Sequence, residues 1–330
     1  MPSRASEPDA PIPVVLCIDV EPDGRHIDLQ SPSPWNGIAA TAAVLEPLRT
    51  RASQRSGREA VFSWYLRMDP QVQAAYGTLA WVVEANPAFV DAARAAGDHL
   101  GLHVHACRLD AAGAEWVIDY ADAPWIDESL RQAFAAFERA VGSRCTTFRF
   151  GDHWMNQATF NTLELLGVTV DLTLEPGHDG ASFYDASERF TGLLPDYSGV
   201  PTRPYRPSAS DYRTPDTART SGPWVLPVTT ARVRPSLAHR VYRKYVARRS
   251  WGETTAALVS HDPGLFARLI DDALSRPEPH LVLSLRSGAA TNPRYASRIA
   301  ANLDALLERP EGSRLAWVEP EEAIRLLGAP

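Results

Sequence analysis

The sequence has few cysteines and almost no lysine. Its three cysteines, Cys17, Cys107 and Cys145, are too few and too widely spaced for a disulfide framework, and no Cys-x-x-Cys pair marks a zinc site. We therefore predict a protein of a reducing compartment. Lys244 is the only lysine among 33 basic residues, which we interpret as genomic base bias without functional meaning.

Long apolar runs are also missing. No stretch of 18 or more uncharged apolar residues occurs, so nothing in the sequence predicts a membrane-spanning helix. Residues 1–13 are polar and proline-rich and lack the basic and apolar segments of a secretory signal. We expect a flexible N-terminus and a cytoplasmic protein that does not bind membranes.

A strong charge of either sign is absent as well. The formal net charge of −7 disfavours a nucleic-acid-binding protein that reads phosphates over a broad basic face. With 45% hydrophobic and 22% charged residues, the composition is that of a folded globular chain. The length of 330 residues does not by itself divide the chain into domains.

Short apolar segments rich in β-branched residues alternate with helical patterns along most of the chain. We predict strands at residues 14–18, 60–66, 99–105, 146–150, 169–174, 224–228, 280–285 and 314–318, and helices at 37–51, 87–96, 127–141, 157–166, 263–275 and 293–308. Strands separated in this way form parallel sheets through βαβ crossovers. The predicted fold class is α/β, a distorted or incomplete (β/α) barrel of about seven strands formed by residues 14–330 as one domain.

Residues 175–222 interrupt this alternation with a long segment rich in Pro, Gly, Ser, Asp and Arg. A connection of this length is usually either disordered or functional. Aromatic residues recur through it, which favours an ordered loop over the active end of the sheet, because disordered linkers lack such anchors. They include Phe183, Tyr184, Tyr197, Tyr205 and Tyr212.

Polar residues suited to catalysis follow three of the predicted strands. They are Asp19 and Glu21 after the first, His103 and His105 at the end of the third, and Arg149, Asp152 and His153 at and after the fourth. A parallel barrel brings the carboxyl ends of all its strands to one face. A carboxylate pair, a histidine pair and an Arg-Asp-His group on one rim have the composition of a metal-dependent hydrolytic site.

The order of these motifs resembles the NodB-homology polysaccharide deacetylases of carbohydrate esterase family 4. The sequence GDHLGLH at residues 97–103 is similar to the second motif of that family, and IDVE at 18–21 is similar to the first. FRFG at 148–151, followed by NQAT at 156–159 and LLGV at 165–168, is similar to the third. The resemblance extends from residue 14 to about residue 327.

The resemblance implies a divergent member of that family, with a distorted barrel that hydrolyses an N-acetyl or O-acetyl group on a carbohydrate. It also implies a divalent metal as cofactor, usually zinc. In the family pattern Asp19 occupies the position of the general base, and Arg149 would orient it through an ion pair. Glu21 and His103 would be metal ligands.

The chain departs from the family pattern at two places. The second metal-binding histidine of the family falls on Cys107, so the further ligand is His105 or Cys107, or no metal is held tightly. Near the last strands the family has a histidine as general acid, whereas this chain has LRSG at 285–288, and we expect His153 to supply the acid instead. Two alternatives stay open: a catalytically degenerate carbohydrate-binding barrel, and metal-free hydrolysis by Asp19 and Glu21 as in glycosidases.

We expect the substrate to be a carbohydrate-containing small molecule, because a cytoplasmic enzyme does not reach cell-wall polymers. Asp152, Trp154 and Tyr205 are the expected substrate contacts, the two rings by stacking on a sugar. Residues 232–249 hold seven basic and no acidic residues. This basic segment fits a solvated surface helix, a patch for an anionic group such as a nucleotide diphosphate or acidic sugar, or a helix at a membrane surface. No motif indicates the oligomeric state.

Overall fold

The computed structural model describes residues 10–24, 27–110, 112, 115–178, 180, 190–232 and 254–328. Strands β1 to β13 are Ile12–Val20, Ser63–Arg67, His99–Val104, Cys107–Leu109, Trp116–Asp119, Thr147–Phe150, Val170–Asp171, Phe190–Thr191, Trp224–Val225, Thr230–Arg232, Thr254–Ala256, Leu281–Arg286 and Leu315–Trp317. Helices α1 to α9 are Gly37–Ser56, Pro70–Tyr76, Trp81–Ala85, Pro87–Ala95, Ala123–Val141, Gln157–Leu165, Pro263–Leu274, Pro293–Leu307 and Pro320–Leu326.

Eight of these strands form one parallel sheet that curls on itself. Seven follow the order β12-β1-β2-β3-β6-β7-β9, and β13 pairs with the first residues of β1. Beyond β9, the N–H of Thr229 donates to the carbonyl of Val282 in β12 at 3.0 Å, so the two edges of the sheet meet. The predicted distorted (β/α) barrel is confirmed.

Side chains of β1 alternate between the outside and the inside of this barrel. Leu16 and Ile18 belong to the large apolar cluster that packs with the helices, whereas Val15 and Cys17 belong to a smaller cluster inside the sheet. Because alternate residues of a strand share a face, the inner set continues at Asp19. The strand therefore delivers one carboxylate from the interior to the carboxyl rim.

A glycine in β3 makes space for a tyrosine ring inside the barrel. A Cβ at Gly101 would lie 2.6 Å from the ring of Tyr65, which is fully buried inside the sheet. Any larger residue at this position would push the ring out of the interior. The close approach of the Tyr65 ring is therefore the steric reason for a glycine at position 101 of the GDHLGLH sequence.

Several elements were not predicted from the sequence. Helices α2 and α3 fill the connection between β2 and α4, and two small sheets, β4-β5-β8 and β10-β11, lie outside the barrel. The predicted strand at 169–174 is reduced to the two residues of β7. Short strand pairs of this kind depend on tertiary contacts, so local patterning misses them.

The long loop is ordered in its described part. The rings of Tyr197, Tyr205 and Tyr212 are buried and hydrogen bonded, as the aromatic pattern predicted. Phe183, Tyr184 and residues 233–249 of the basic segment lie outside the described residues. In the part of the chain that the structure describes, every helix is too short or too polar to cross a lipid bilayer.

Asp171 in β7 gives the fold a testable pH dependence. Burial raises the pKa of its carboxyl to about 7, so the protonated form is favoured in the folded state. The free energy of unfolding should therefore fall as the pH rises from about 4 through 7. We expect Asp171→Asn to stabilise the protein at pH 8 by about 1 to 4 kcal/mol and to change little at pH 4, measured by chemical denaturation. The exposed Asp28→Asn is the control, and an equal effect at both pH values would contradict the prediction.

Candidate active site

A buried ion pair between β1 and β6 lies at the centre of the site. Nε of Arg149 donates to both carboxylate oxygens of Asp19, at 2.8 and 3.1 Å. The guanidinium also donates to the carbonyl of Leu172 and to Oγ of Ser284, at 2.8 and 2.9 Å. The contacts with Leu172 and Ser284 fix the guanidinium, and its Nε holds the Asp19 carboxylate in one orientation at the rim of the barrel.

Next to this pair, three potential metal ligands converge. One ligand atom each from Glu21, His103 and His105 lies within 4.8 Å of the others. The Nε2 atoms of the two histidines are 2.9 Å apart, and Nε2 of His105 is 3.5 Å from Oε2 of Glu21. Asp19 borders the group, with Oδ1 at 3.9 Å from Nδ1 of His103. The structure thus brings together the first and third strand ends.

The hydrogen bonds of the two imidazoles suit a cation between them. Nδ1 of His103 lies 2.9 Å from the carbonyl of Arg149, which can only accept, so the proton is on Nδ1 and Nε2 carries a lone pair. Nδ1 of His105 faces the carboxylate of Asp152 at 3.5 Å, which favours the same tautomer. Two lone pairs then face each other at 2.9 Å. A metal ion, or an added proton, is needed to make that contact favourable.

The pKa values of the two histidines differ in direction. Burial lowers the pKa of His103 to about 4, so this imidazole is neutral. Burial also disfavours the charged form of His105, but the carboxylates of Asp152 and Glu21 outweigh this effect and raise its pKa. His105 is therefore the group on which a proton competes with a metal.

Glu21 is in contact with two arginines in addition to the histidines. Oε2 lies 3.2 Å from Nη1 of Arg67, and Oε1 contacts Nε of Arg286. Although burial alone would raise its pKa, the arginines and His105 lower the pKa of this carboxyl well below its usual range. Arg67 is in turn held by Asp69 at 2.6 Å. Glu21 is ionised and fixed in position.

The turn after β6 has an unusual backbone conformation. Asp152 and His153 are consecutive non-glycine residues in the left-handed region, with φ of 53° and 45°. A Cβ at Gly151 would overlap the ring of His105. The glycine makes room for that ring, and the strained turn directs Asp152 towards it. Strain of this kind is typical of functional sites.

His153 belongs to a second cluster on the same turn. Its Nδ1 lies 3.6 Å from Oε2 of Glu175, and Nε2 of His178 lies 3.3 Å from the same oxygen. The two rings are parallel, with centroids 5.8 Å apart. Burial alone would raise the pKa of Glu175, but the two histidines lower it, so the carboxylate is ionised between them.

The expected substrate contacts have other environments. Trp154 is 2% exposed, stacks on Tyr120 at 4.7 Å and packs edge-on against Phe150. Tyr205 is 5% exposed and donates to the carbonyl of Tyr212 at 2.9 Å. As placed, neither ring offers a face to a sugar, because both are part of the hydrophobic core. We do not include them in the proposed substrate site.

Asp152 also differs from its expected role. Besides facing His105, its carboxylate accepts a hydrogen bond from the hydroxyl of Tyr120 at 3.1 Å. The side chain orients an imidazole rather than projecting into open space. From these contacts, Asp152 is a residue that positions the His105 ring.

Four polar residues of the site were not predicted from the sequence. They are Arg67, Asp69, Glu175 and His178. All follow or end barrel strands, so the strand-end rule that identified Asp19 also covers β2 and β7. The predicted second strand ends at residue 66, one residue before Arg67, and the residues from Glu175 onward belong to the predicted long loop.

No family model and no curated protein matches the chain. Solved structures match it over nearly its whole length. A "putative glycoside hydrolase/deacetylase" from Parabacteroides distasonis has a TM-score of 0.61 and 12% identity, covering 97% of this chain and 72% of the other. A "probable polysaccharide deacetylase" from Pseudomonas aeruginosa has a TM-score of 0.52 and 12% identity over 96% and 91% of the chains. Puue allantoinase has a TM-score of 0.54 and 11% identity over 100% and 94%.

At these identities the similarity establishes the fold. The chain has the barrel of the polysaccharide deacetylase type, as the motifs in its sequence indicated. Allantoinase has a similar barrel, so the fold alone does not select the substrate. The chemistry has to be argued from the side chains described above.

The buried ion pair can be tested by unfolding. We expect Arg149→Met to destabilise the protein by about 3 to 5 kcal/mol, because it leaves the Asp19 carboxylate buried without a partner. The double variant Asp19→Asn with Arg149→Met should recover part of this loss, since no unpaired charge remains. Denaturant unfolding of both variants, compared with Asp19→Asn alone, measures the coupling. Strictly additive effects would contradict it.

Proposed function

We propose that this protein is a metal-dependent deacetylase that hydrolyses an N-acetyl or O-acetyl group on a carbohydrate or a glycosylated small molecule. The observation that carries the proposal is the convergence of Glu21, His103 and His105 next to the Asp19–Arg149 pair. The deacetylase-type barrel supports it, because this rim is where such folds carry their chemistry.

Glu21, His103 and His105 would hold a divalent cation, and the donor set favours Zn²⁺. Two imidazoles and one carboxylate are a common ligand set of catalytic zinc and leave a fourth position open. When bound, the ion supplies a Lewis acid and lowers the pKa of water towards neutrality. The carbonyl of Arg149 and the carboxylate of Asp152 orient the two imidazoles from behind.

Asp19 is the proposed general base. Its side chain is 12% exposed and borders the three ligands, so it could accept a proton from a water molecule bound beside them. Arg149 fixes the rotamer of the carboxylate through the contacts of Nε. The base is therefore pre-oriented before substrate binds.

His153 is the proposed general acid that protonates the leaving group. The ionised Glu175 faces its Nδ1 and would orient the imidazole ring, as a carboxylate does in a catalytic triad. The strained backbone at His153 is consistent with a residue held for chemistry rather than for packing. The arrangement would replace the histidine that the resembling family has near its last strand.

A second candidate is a degenerate barrel that binds carbohydrate without turnover. The contacts of Glu21 with Arg67 and Arg286 favour it, because both carboxylate oxygens already have cationic partners. A proton shared between His103 and His105 would then take the place of the metal. Metal binding distinguishes the two candidates.

The zinc site should depend on the fit of the His105 ring. We expect the metal-stripped protein to bind one Zn²⁺, His103→Ala to lose it, and Gly151→Ala to bind it at least tenfold more weakly, because the new methyl group displaces His105. Gly199→Ala is the control, since a Cβ there meets nothing within 4 Å. Isothermal titration calorimetry measures all four. Absence of stoichiometric zinc in the parent protein would favour the degenerate barrel.

The catalytic roles make a separate prediction. Asp19→Asn should retain Zn²⁺ but release acetate at least 100-fold more slowly from N-acetylated or O-acetylated sugars, because the base is removed and the ligands are not. His153→Gln should lower kcat, because the proposed proton donor to the leaving group is removed. An enzymatic acetate assay with a panel of acetylated sugars checks both. Unchanged acetate release by Asp19→Asn would exclude it as the base.

A further inference from the structure

A second group of potential metal ligands lies at the amino end of the barrel, away from the candidate active site. It consists of His99, the first residue of β3, with Glu319 directly before α9 and Glu321 in the first turn of that helix. One ligand atom from each of the three lies within 4.8 Å of the other two. His103 is four residues further along the same strand, roughly 13 Å away at the rise of a β-strand. The two groups of ligands are therefore separate.

Helix α9 closes this end of the barrel. Its residues Ala323 and Ile324 belong to the apolar cluster inside the sheet, which also contains the buried ring of Tyr65. Oε2 of Glu319, the residue before the helix, lies 3.6 Å from Nδ1 of His99. This contact joins the closing helix to the first residue of β3.

The His99 imidazole is held with one nitrogen towards the carboxylates. Its Nε2 lies 2.6 Å from the hydroxyl oxygen of Thr147, and its side chain is 12% exposed. A hydroxyl can accept from an Nε2–H, and in that tautomer the lone pair of Nδ1 faces Glu319. A lone pair beside a carboxylate is favourable only with a cation between them. A proton on Nδ1 is the competing occupant of this contact.

The Glu321 carboxylate has one satisfied oxygen and one without a partner. Its Oε1 lies 2.9 Å from the hydroxyl oxygens of Thr146 and Thr169, which directly precede β6 and β7. Its Oε2 is buried and, among the described residues, has no hydrogen-bond partner. Burying an unpaired polar atom costs free energy, and more so for a charged group. This oxygen is the observation that points to a bound cation.

The next acid of the same turn has an ordinary surface environment. Glu322 pairs with Arg325, three residues later, at 2.5 Å. Arg325 also lies 3.9 Å from Oε1 of Glu319, but its side chain is 69% exposed, so solvent screens this interaction. An imidazole and two carboxylates thus meet with one exposed arginine at their edge. Such a negatively charged group suits a divalent cation.

We propose that His99, Glu319 and Glu321 form a second divalent-cation site, which binds Zn²⁺ and fastens helix α9 to strand β3. Imidazole and carboxylate groups are both accepted ligands of zinc. The side chain of Glu319 is 42% exposed, so water competes for it, and the site should bind zinc more weakly than the buried ligands Glu21, His103 and His105. Its role is structural, because barrel enzymes carry their chemistry at the other end. The proposal does not depend on the proposed function.

Zinc titration of the His103→Ala variant tests this site by itself. That variant lacks a ligand of the candidate active site, and we expect it to bind one Zn²⁺ weakly in isothermal titration calorimetry. Adding His99→Ala should abolish this binding, and adding Glu321→Gln should weaken it at least tenfold. Glu322→Gln is the matched control, because it removes an acid of the same turn that pairs with Arg325 instead.

Thermal unfolding gives a second measurement. Saturating zinc should raise the unfolding midpoint of His103→Ala, because an ion that binds only the folded chain stabilises it, and His99→Ala should remove that shift. In the parent protein the site should appear as a second, weaker equivalent of zinc, so the test does not require His103→Ala to fold. Glu319→Gln replaces His99→Ala if the latter does not fold.

Three results would overturn the proposal: no second equivalent of zinc, zinc binding that His99→Ala leaves unchanged, or an equal loss in Glu322→Gln. The histidine dependence separates this inference from the proposed function. Zinc that His99→Ala removes and His103→Ala leaves would support the second site even if the candidate active site bound no metal. Zinc that only His103→Ala removes would contradict the second site and leave the deacetylase proposal intact.

Discussion

The guanidinium of Arg149 links three separate strands of the barrel through its hydrogen bonds. It donates to Asp19 in β1, to the carbonyl of Leu172 after β7 and to Ser284 in β12, while its own backbone carbonyl accepts from His103 in β3. A buried cation must be compensated, so these partners cannot move independently. One residue therefore positions a carboxylate with its side chain and an imidazole with its main chain.

Much of the fold and the centre of the site were predictable from the sequence. The apolar run before Asp19 and the paired His103 and His105 show the two-residue period of strands, and parallel strands bring such ends to one rim. Trp154 and Tyr205 were placed in the substrate site because aromatic rings serve equally well in a sugar platform and in a core. A ring in a sugar-binding surface and a ring in the core have the same sequence pattern, so only tertiary packing shows which role it has.

Two arginine side chains contact the Glu21 carboxylate at this rim. Arg286 stands in the stretch where the resembling family has a histidine, and together with Arg67 it neutralises the carboxylate that is also a proposed metal ligand. In the proposed mechanism the acid comes from the end of β6 instead.

The left-handed turn at Asp152 and His153 has a further consequence. One of these neighbours faces His105 and the other faces Glu175, so a single turn positions groups in both clusters of the site. An insertion, deletion or proline at this turn would disturb both at once. During divergence the proposed metal ligand His105 and the proposed acid His153 are thus expected to be kept or lost together, and intact spacing between Gly151 and His153 would be a practical signature of homologues that keep both.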